Sequence, residues 1–228
     1  MLPPPSTVAA LLALADQRLP SGGHVHSGGV EQAVTAGLVR DVASLRAFLE
    51  RRLHSAGRVA AAVAAAATTL VAPDVARLDA EVDARIPSPA QRDASRAQGR
   101  GLLRTARAAW AAPHAGLSWA DLGARPHHPV VLGCAARAAG ADAAGAALVA
   151  AYLAVTGPAT AAQRLLGLDP VAVAAATLAL SDDVAAVATS AVLRGATPSF
   201  ADLADDGAPL LDLLAQQHAA RGDALFAS

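Results

Sequence analysis

Arg18-Leu19-Pro20-Ser21-Gly22-Gly23-His24-Val25-His26-Ser27-Gly28-Gly29-Val30-Glu31 places four glycines and one proline between two helix-forming segments. Glycine loses the most backbone freedom on entering a helix, and proline cannot donate the helical hydrogen bond, so no helix runs through this stretch. Ahead of it, Val8 to Leu14 is rich in leucine and alanine, with Ser6 and Thr7 available as N-caps. Behind it, Ser27 can cap a short helix running through Glu31 and Val34 to Gly37. The segment is therefore a shaped loop between two helices.

Helical signals continue outward from this loop to the end of the chain. No stretch alternates with period two in β-branched and aromatic residues, and aromatics make up only 3%. Asp41 can cap a helix whose Leu45, Phe48, Leu49 and Leu53 fall at i, i+3, i+4 and i+8, and which can run past Gly57 towards Pro73. The next helix turns Val75, Leu78 and Val82 inward and Asp74, Asp79, Glu81 and Asp83 largely outward; Ile86-Pro87-Ser88-Pro89 ends it and starts another. A long helix is expected from Pro89 to Trp110 and a loop from His114 to Pro126. Helices follow over Pro129 to Ala139 and Ala141 to Thr156, stopped by Gly140 and by Gly157-Pro158. Asp169-Pro170 opens a helix to Leu180, Ser181 restarts it towards Gly195, and a last helix near Ala208 to Gln217 leads into a tail over residues 218–228. The fold class is therefore all-α. Small alanine side chains let helices approach closely, so residues 1–228 are expected to form a single compact bundle of about eight to ten short helices.

Composition removes several functional classes. A formal charge of −1 with 16% charged residues supplies no basic field for nucleic acid. Cys134, the single cysteine, rules out an intramolecular disulfide and any multi-cysteine metal site, as suits a reducing cytoplasm. Met1 to Pro5 has neither a basic nor an apolar leader region, so no signal peptide is expected. All 18 basic residues are arginine, so no lysine-containing phosphate loop can exist. With 54% hydrophobic residues and a mean hydropathy of +0.38, the chain carries apolar surface to spare. The uncharged run from Ala143 to Gln163 has membrane-spanning length, but its Ala, Gly and Thr composition fits a buried core helix better. Burial against protein partners is the other outlet for such surface.

Four groups of residues invite a functional role. Arg92, Arg96, Arg100, Arg104 and Arg107 recur at i, i+4, i+8, i+12 and i+15 on one helix, an arc of roughly 120°. Like charges at that spacing repel, so acids must answer them, either from this chain or from an acidic protein partner. His24 and His26, with His127 and His128 elsewhere, could start a transition-metal site; two imidazoles alone do not complete one, and no metal or other cofactor is expected. No catalytic nucleophile stands out: Ser27 lacks a strand-turn-helix setting, and Cys134 sits in an apolar helix as an inert thiol. Leu225 and Phe226, beyond the last helix, need covering by the chain's own core or by a partner.

In order along the chain, Leu-Pro-x-Gly-Gly-x-x-x-Ser-x-Gly-x-Glu (19–31), Ser95-Arg96-Ala97-Gln98-Gly99-Arg100-Gly101-Leu102-Leu103-Arg104, His128-Pro129-Val130-Val131-Leu132-Gly133, and an ending that opens at His218 and closes with Leu225-Phe226-Ala227-Ser228 resemble the signature segments of UreF-type urease accessory proteins. His24 and His26 occupy places where that family commonly has aromatics. The resemblance implies a non-catalytic, dimer-forming all-α scaffold in the cytoplasm that bridges a UreD/UreH-type protein and the GTPase UreG on apo-urease during nickel-dependent activation. It implies partner-binding roles for Pro20, Gly22, Gly23, His24, His26, Ser27 and Glu31 in the loop, and for Arg96, Gln98, Arg100 and Arg104 on the long helix. His218, Arg221, Leu225 and Phe226 of the tail would take the same role, on the UreD/UreH side. The competing class is a metal-dependent hydrolase built on the His24/His26 and His127/His128 pairs.

Overall fold

The structure, a computed structural model, describes residues 4–20, 26–195, 199–221 and 225. Among them are eleven α-helical segments and no strand; a lone bridge pairs His114 with Leu117. The segments are α1 (Pro5–Ala15), α2 (Val30–Thr35), α3 (Val42–Arg52), α4 (Arg58–Ala67), α5 (Ala72–Arg85), α6 (Pro89–Ala109), α7 (His128–Ala138), α8 (Ala143–Leu166), α9 (Pro170–Leu178), α10 (Ser181–Gly195) and α11 (Pro209–Ala219). A π turn, Leu53–Gly57, makes α3 and α4 one continuous rod, which brings the number of separate helices to ten.

The local capping chemistry places most of these ends. Asp41 accepts the Ser44 N–H at 2.8 Å while the Ser44 hydroxyl accepts the Asp41 N–H, a reciprocal capping box. Ser88, Asp142 and Asp169 cap α6, α8 and α9 with the side-chain oxygen alone, and prolines enter the first turns of α1, α5, α6, α7, α9 and α11. Two expected caps are displaced: α1 starts at Pro5, ahead of Ser6 and Thr7, and α2 takes Gly29 rather than Ser27 at its N-cap.

The core is built round α4, whose Val59 and Ala61 to Ala67 are all buried, as a helix apolar on every side must be. α8 and α10 pack against it and against each other, α7 lies between α4 and α6, and α11 rests on α6 and α2. Alanine dominates these contacts. Among the described residues α8 is the one unbroken helix long and apolar enough to cross a membrane, and half of its apolar window is buried by the other helices.

Two expectations fail here. α8 runs through Gly157 and Pro158 to Leu166, where Gly167 in the left-handed conformation ends it. Pro158 has no N–H for the carbonyl of Ala154 one turn earlier, and Arg52 of α3 supplies the missing donor, its Nε–H reaching that oxygen at 3.2 Å. On α5, Val75, Leu78 and Val82 are buried as expected, but Asp79 and Asp83 turn towards α6 and the start of α7.

Candidate functional site

The glycine loop enters α2 through Gly28 and Gly29, at φ +60° and +89°, with His26 and Ser27 buried beneath. Left-handed backbone at two successive positions reverses the chain sharply and is open to glycine at little cost. Gly28 has a second reason to lack a side chain, since a Cβ there would lie 3.0 Å from both the Arg52 guanidinium carbon and Pro158 Cγ. Gly22, Gly23 and His24 lie outside the described residues. Pro20 is exposed, and its carbonyl accepts a long 3.4 Å hydrogen bond from the Thr105 hydroxyl on α6.

The short helix α2 and the C-terminal tail meet at Glu31. Its side chain is buried; His218 Nε2 donates to Oε2 at 2.8 Å and the Leu225 N–H to Oε1 at 2.8 Å. Arg221 donates to the Thr35 hydroxyl at 2.7 Å and to Gln32 Oε1 at 3.3 Å. Glu31, His218 and Arg221 therefore fasten the tail onto α2 of the same chain. Leu225 is 78% exposed, and Phe226 lies outside the described residues.

The arginine row divides. Arg96 is answered internally, by Asp79 at 2.9 Å and Asp83 at 2.6 Å. Burial alone would lower its pKa, but the hydrogen bonds to the two carboxylates outweigh that and raise it. Arg92 caps the carbonyls of Ile86 and Pro87, and Arg107 donates to the Trp119 carbonyl at 3.0 Å. Arg100 and Arg104 are exposed, and neither forms an ion pair among the described residues. Gln98 lies one face away, on the wall of a partly open cavity. Gly99 lets α6 press against the loop before α7: a Cβ there would lie 2.0 Å from the Pro126 carbonyl oxygen.

His127 and His128 have separate surroundings. His127 is fully buried, its Nε2 donating to Asp83 at 2.9 Å and its Nδ1 facing the Ser95 hydroxyl at 3.0 Å, while its N–H donates to Asp79. Burial lowers its pKa against the opposing pull of Asp83. Asp79, Asp83 and His127 are close enough to hold a cation, yet each of the four carboxylate oxygens already accepts from Arg96 or His127. A metal would have to displace a guanidinium from two charge-assisted bonds. His128 instead faces His26 across the cavity beneath the glycine loop, and burial pushes both imidazoles down to about 4, with the His128 and Arg52 charges adding to the effect on His26. The Cys134 thiol, pushed up to about 12 by burial, is inert.

Arg52, Asp79, Asp83 and Pro158 organise this region, and the sequence singled none of them out as functional. Each acts through a residue at least 13 positions away, such as Arg96 for Asp83, so no local spacing marks them.

Comparison with known proteins gives a consistent result. Residues 39–181 match the family model described as UreF. The chain is 54% identical over 224 residues to a urease accessory protein UreF of Mycobacterium marinum, covering 98% of this chain and 100% of the relative. Relatives bearing the same description in Mycobacterium sp. strain JLS and Mycobacterium tuberculosis strain H37Ra are 53% and 48% identical, again over 98% of this chain and 100% of theirs.

Proposed function

The chain belongs to the UreF family of urease accessory proteins, and from that premise we propose that it is a non-catalytic cytoplasmic scaffold, dimeric in its working complex, that bridges a UreD/UreH-type protein and the GTPase UreG during nickel-dependent activation of apo-urease. The observation that carries this reading is the division of the arginine row. Arg96 is consumed inside the fold, whereas Arg100 and Arg104, one and two turns further along, present on an exposed face two charges that no ion pair answers among the described residues. An acidic partner removes their mutual repulsion and gains charge-assisted hydrogen bonds. Pro20, joined to α6 through Thr105, extends that face, on which we place UreG.

Apolar surface supports the rest. Leu12, Val171, Leu178 and Leu193 are 67–74% exposed, apolar surface available to protein partners. We assign the UreD/UreH side to the tail from Leu225 onward, with His218 and Arg221 holding its root in place. The alternative of a hydrolase built on paired histidines has little support, since His127 is consumed by Asp83 and His26 and His128 lie beside a cationic guanidinium.

The test is co-expression of this chain with UreG and the UreD/UreH-type protein. Charge reversal at Arg100 and Arg104 together is expected to cut UreG recovery at least tenfold while UreD/UreH capture persists; removal of residues 225–228 is expected to do the opposite. Undiminished UreG recovery with the reversed charges would remove the α6 assignment.

A further inference from the structure

Two core helices depart from regular α geometry, and both departures fall at Arg52. The rod α3–α4 carries its π turn at Leu53–Gly57, beginning at the next residue, and α8 carries Pro158 one turn beyond the Ala154 carbonyl that Arg52 Nε–H occupies at 3.2 Å. Such irregularities weaken a helix and gather where a side chain has to be held in a particular place. The side chain held here is a guanidinium without an acid. Among the described residues no carboxylate lies within ion-pair reach of Arg52, and its two terminal nitrogens have no protein acceptor. Among the described residues no buried side-chain polar atom lacks a partner, so these nitrogens are reached by solvent, through the cavities they line.

Two cavities, of about 180 and 80 Å³, share His26, Gly28, Arg52, Gln98 and His128 as walls, room for several waters or one small ion. Burial lowers the Arg52 pKa only to about 10, so the group is charged at neutral pH. His26 and His128 are neutral there, each offering one ring N–H. The carboxylates on these walls are committed elsewhere: Asp206 to Arg58 at 3.0 Å, Asp212 to the Ser88 N–H and Gln91, and Asp16 to Arg18 at 2.7 Å. A half-buried positive charge without a counter-charge is only partly offset by solvent and repels a metal ion. An oxyanion complements it, because a guanidinium presents two parallel N–H donors at the spacing of two oxygens on one centre.

We propose that the cavity bounded by Arg52, His26 and His128 is a binding site for a small inorganic oxyanion, gripped by the terminal nitrogens of Arg52 and flanked by the two imidazole N–H groups. The site is independent of the docking faces assigned above.

Isothermal titration of the purified full chain with sodium bicarbonate and with sodium phosphate, at constant ionic strength against sodium chloride, tests it. Saturable binding of one or both oxyanions is expected in the wild type, at least about tenfold weaker in Arg52→Gln and intermediate in Arg52→Lys, where a point charge replaces the fork. Absence of saturation by roughly 50 mM, or undiminished binding to folded Arg52→Gln, would overturn the proposal. Should Arg52→Gln fail to fold, nitrogen-labelled arginine spectra of the wild type decide. The Arg52 Nε–H resonance is expected to move along a saturating curve with added oxyanion, and a stationary resonance overturns the site.

Discussion

At position 99 a methyl group would meet the Pro126 carbonyl oxygen at 2.0 Å, and because the obstacle is backbone it cannot swing aside. Gly99→Ala is therefore expected to cost about 3 kcal/mol, read as a lowered urea midpoint, and a loss below about 1 kcal/mol would mean that α6 and the Pro126 loop are not tightly apposed. The His26 and His128 imidazoles give a second test at single residues. Both stay neutral in the fold down to about pH 4 but take up protons near 6.5 once exposed, so between those values the unfolded chain binds more protons. Stability then falls as pH drops from 6.5 towards 4, by roughly 3 kcal/mol for each ring fully charged. His128→Gln should flatten that slope in urea titrations taken across the window; parallel slopes for variant and wild type would show that the ring is not shielded. Arg96→Glu, by contrast, is a poor probe of partner binding, since it would set a third carboxylate against Asp79 and Asp83 and damage the fold.

Among the helices, the crossing of α3 and α8 makes a coupled prediction. Arg52 satisfies the carbonyl that Pro158 leaves open, so Arg52→Ala strands the Ala154 oxygen in the native helix but not in one where Pro158→Ala has restored the N–H. The double-mutant cycle is expected to show Arg52→Ala costing about 1 kcal/mol less in the Pro158→Ala background, and strict additivity would contradict the link. The same crossing shows where sequence stops informing. Asp41 and Asp169 were legible as caps because a cap bonds a backbone group two or three residues away. Gly157-Pro158 was misread as a stop because its rescue comes from a side chain 106 positions earlier in the chain, across a helix packing that no local pattern encodes. The arginine spacing was visible at once, but which arginines are spent internally depended on Asp79 and Asp83, whose inward orientation followed from the neighbour α6 and not from the amphipathic pattern of α5. The tail was likewise legible as apolar and not as tied down, because its anchor, Glu31, is near the other end of the chain.

For the molecule as a whole, the clasp of His218 on Glu31 joins the C-terminal tail to α2 and sets how the tail leaves the body. His218→Ala leaves a buried carboxylate short of a partner and is expected to cost about 3 kcal/mol and to weaken UreD/UreH capture with it, whereas Leu225→Ala should weaken capture alone. Equal stability of His218→Ala and wild type in thermal unfolding would show that the tail is not clasped. The wider account is of a close-packed alanine-rich body with surplus apolar surface, which under the proposed function other proteins would cover. The most direct measurement is affinity purification of the wild-type chain from cells carrying the complete set of urease maturation genes, with the mass and composition of the eluted complex determined. The account expects two copies of this chain together with UreG and the UreD/UreH-type protein; recovery of the chain by itself, in cells that nevertheless contain active urease, would contradict it.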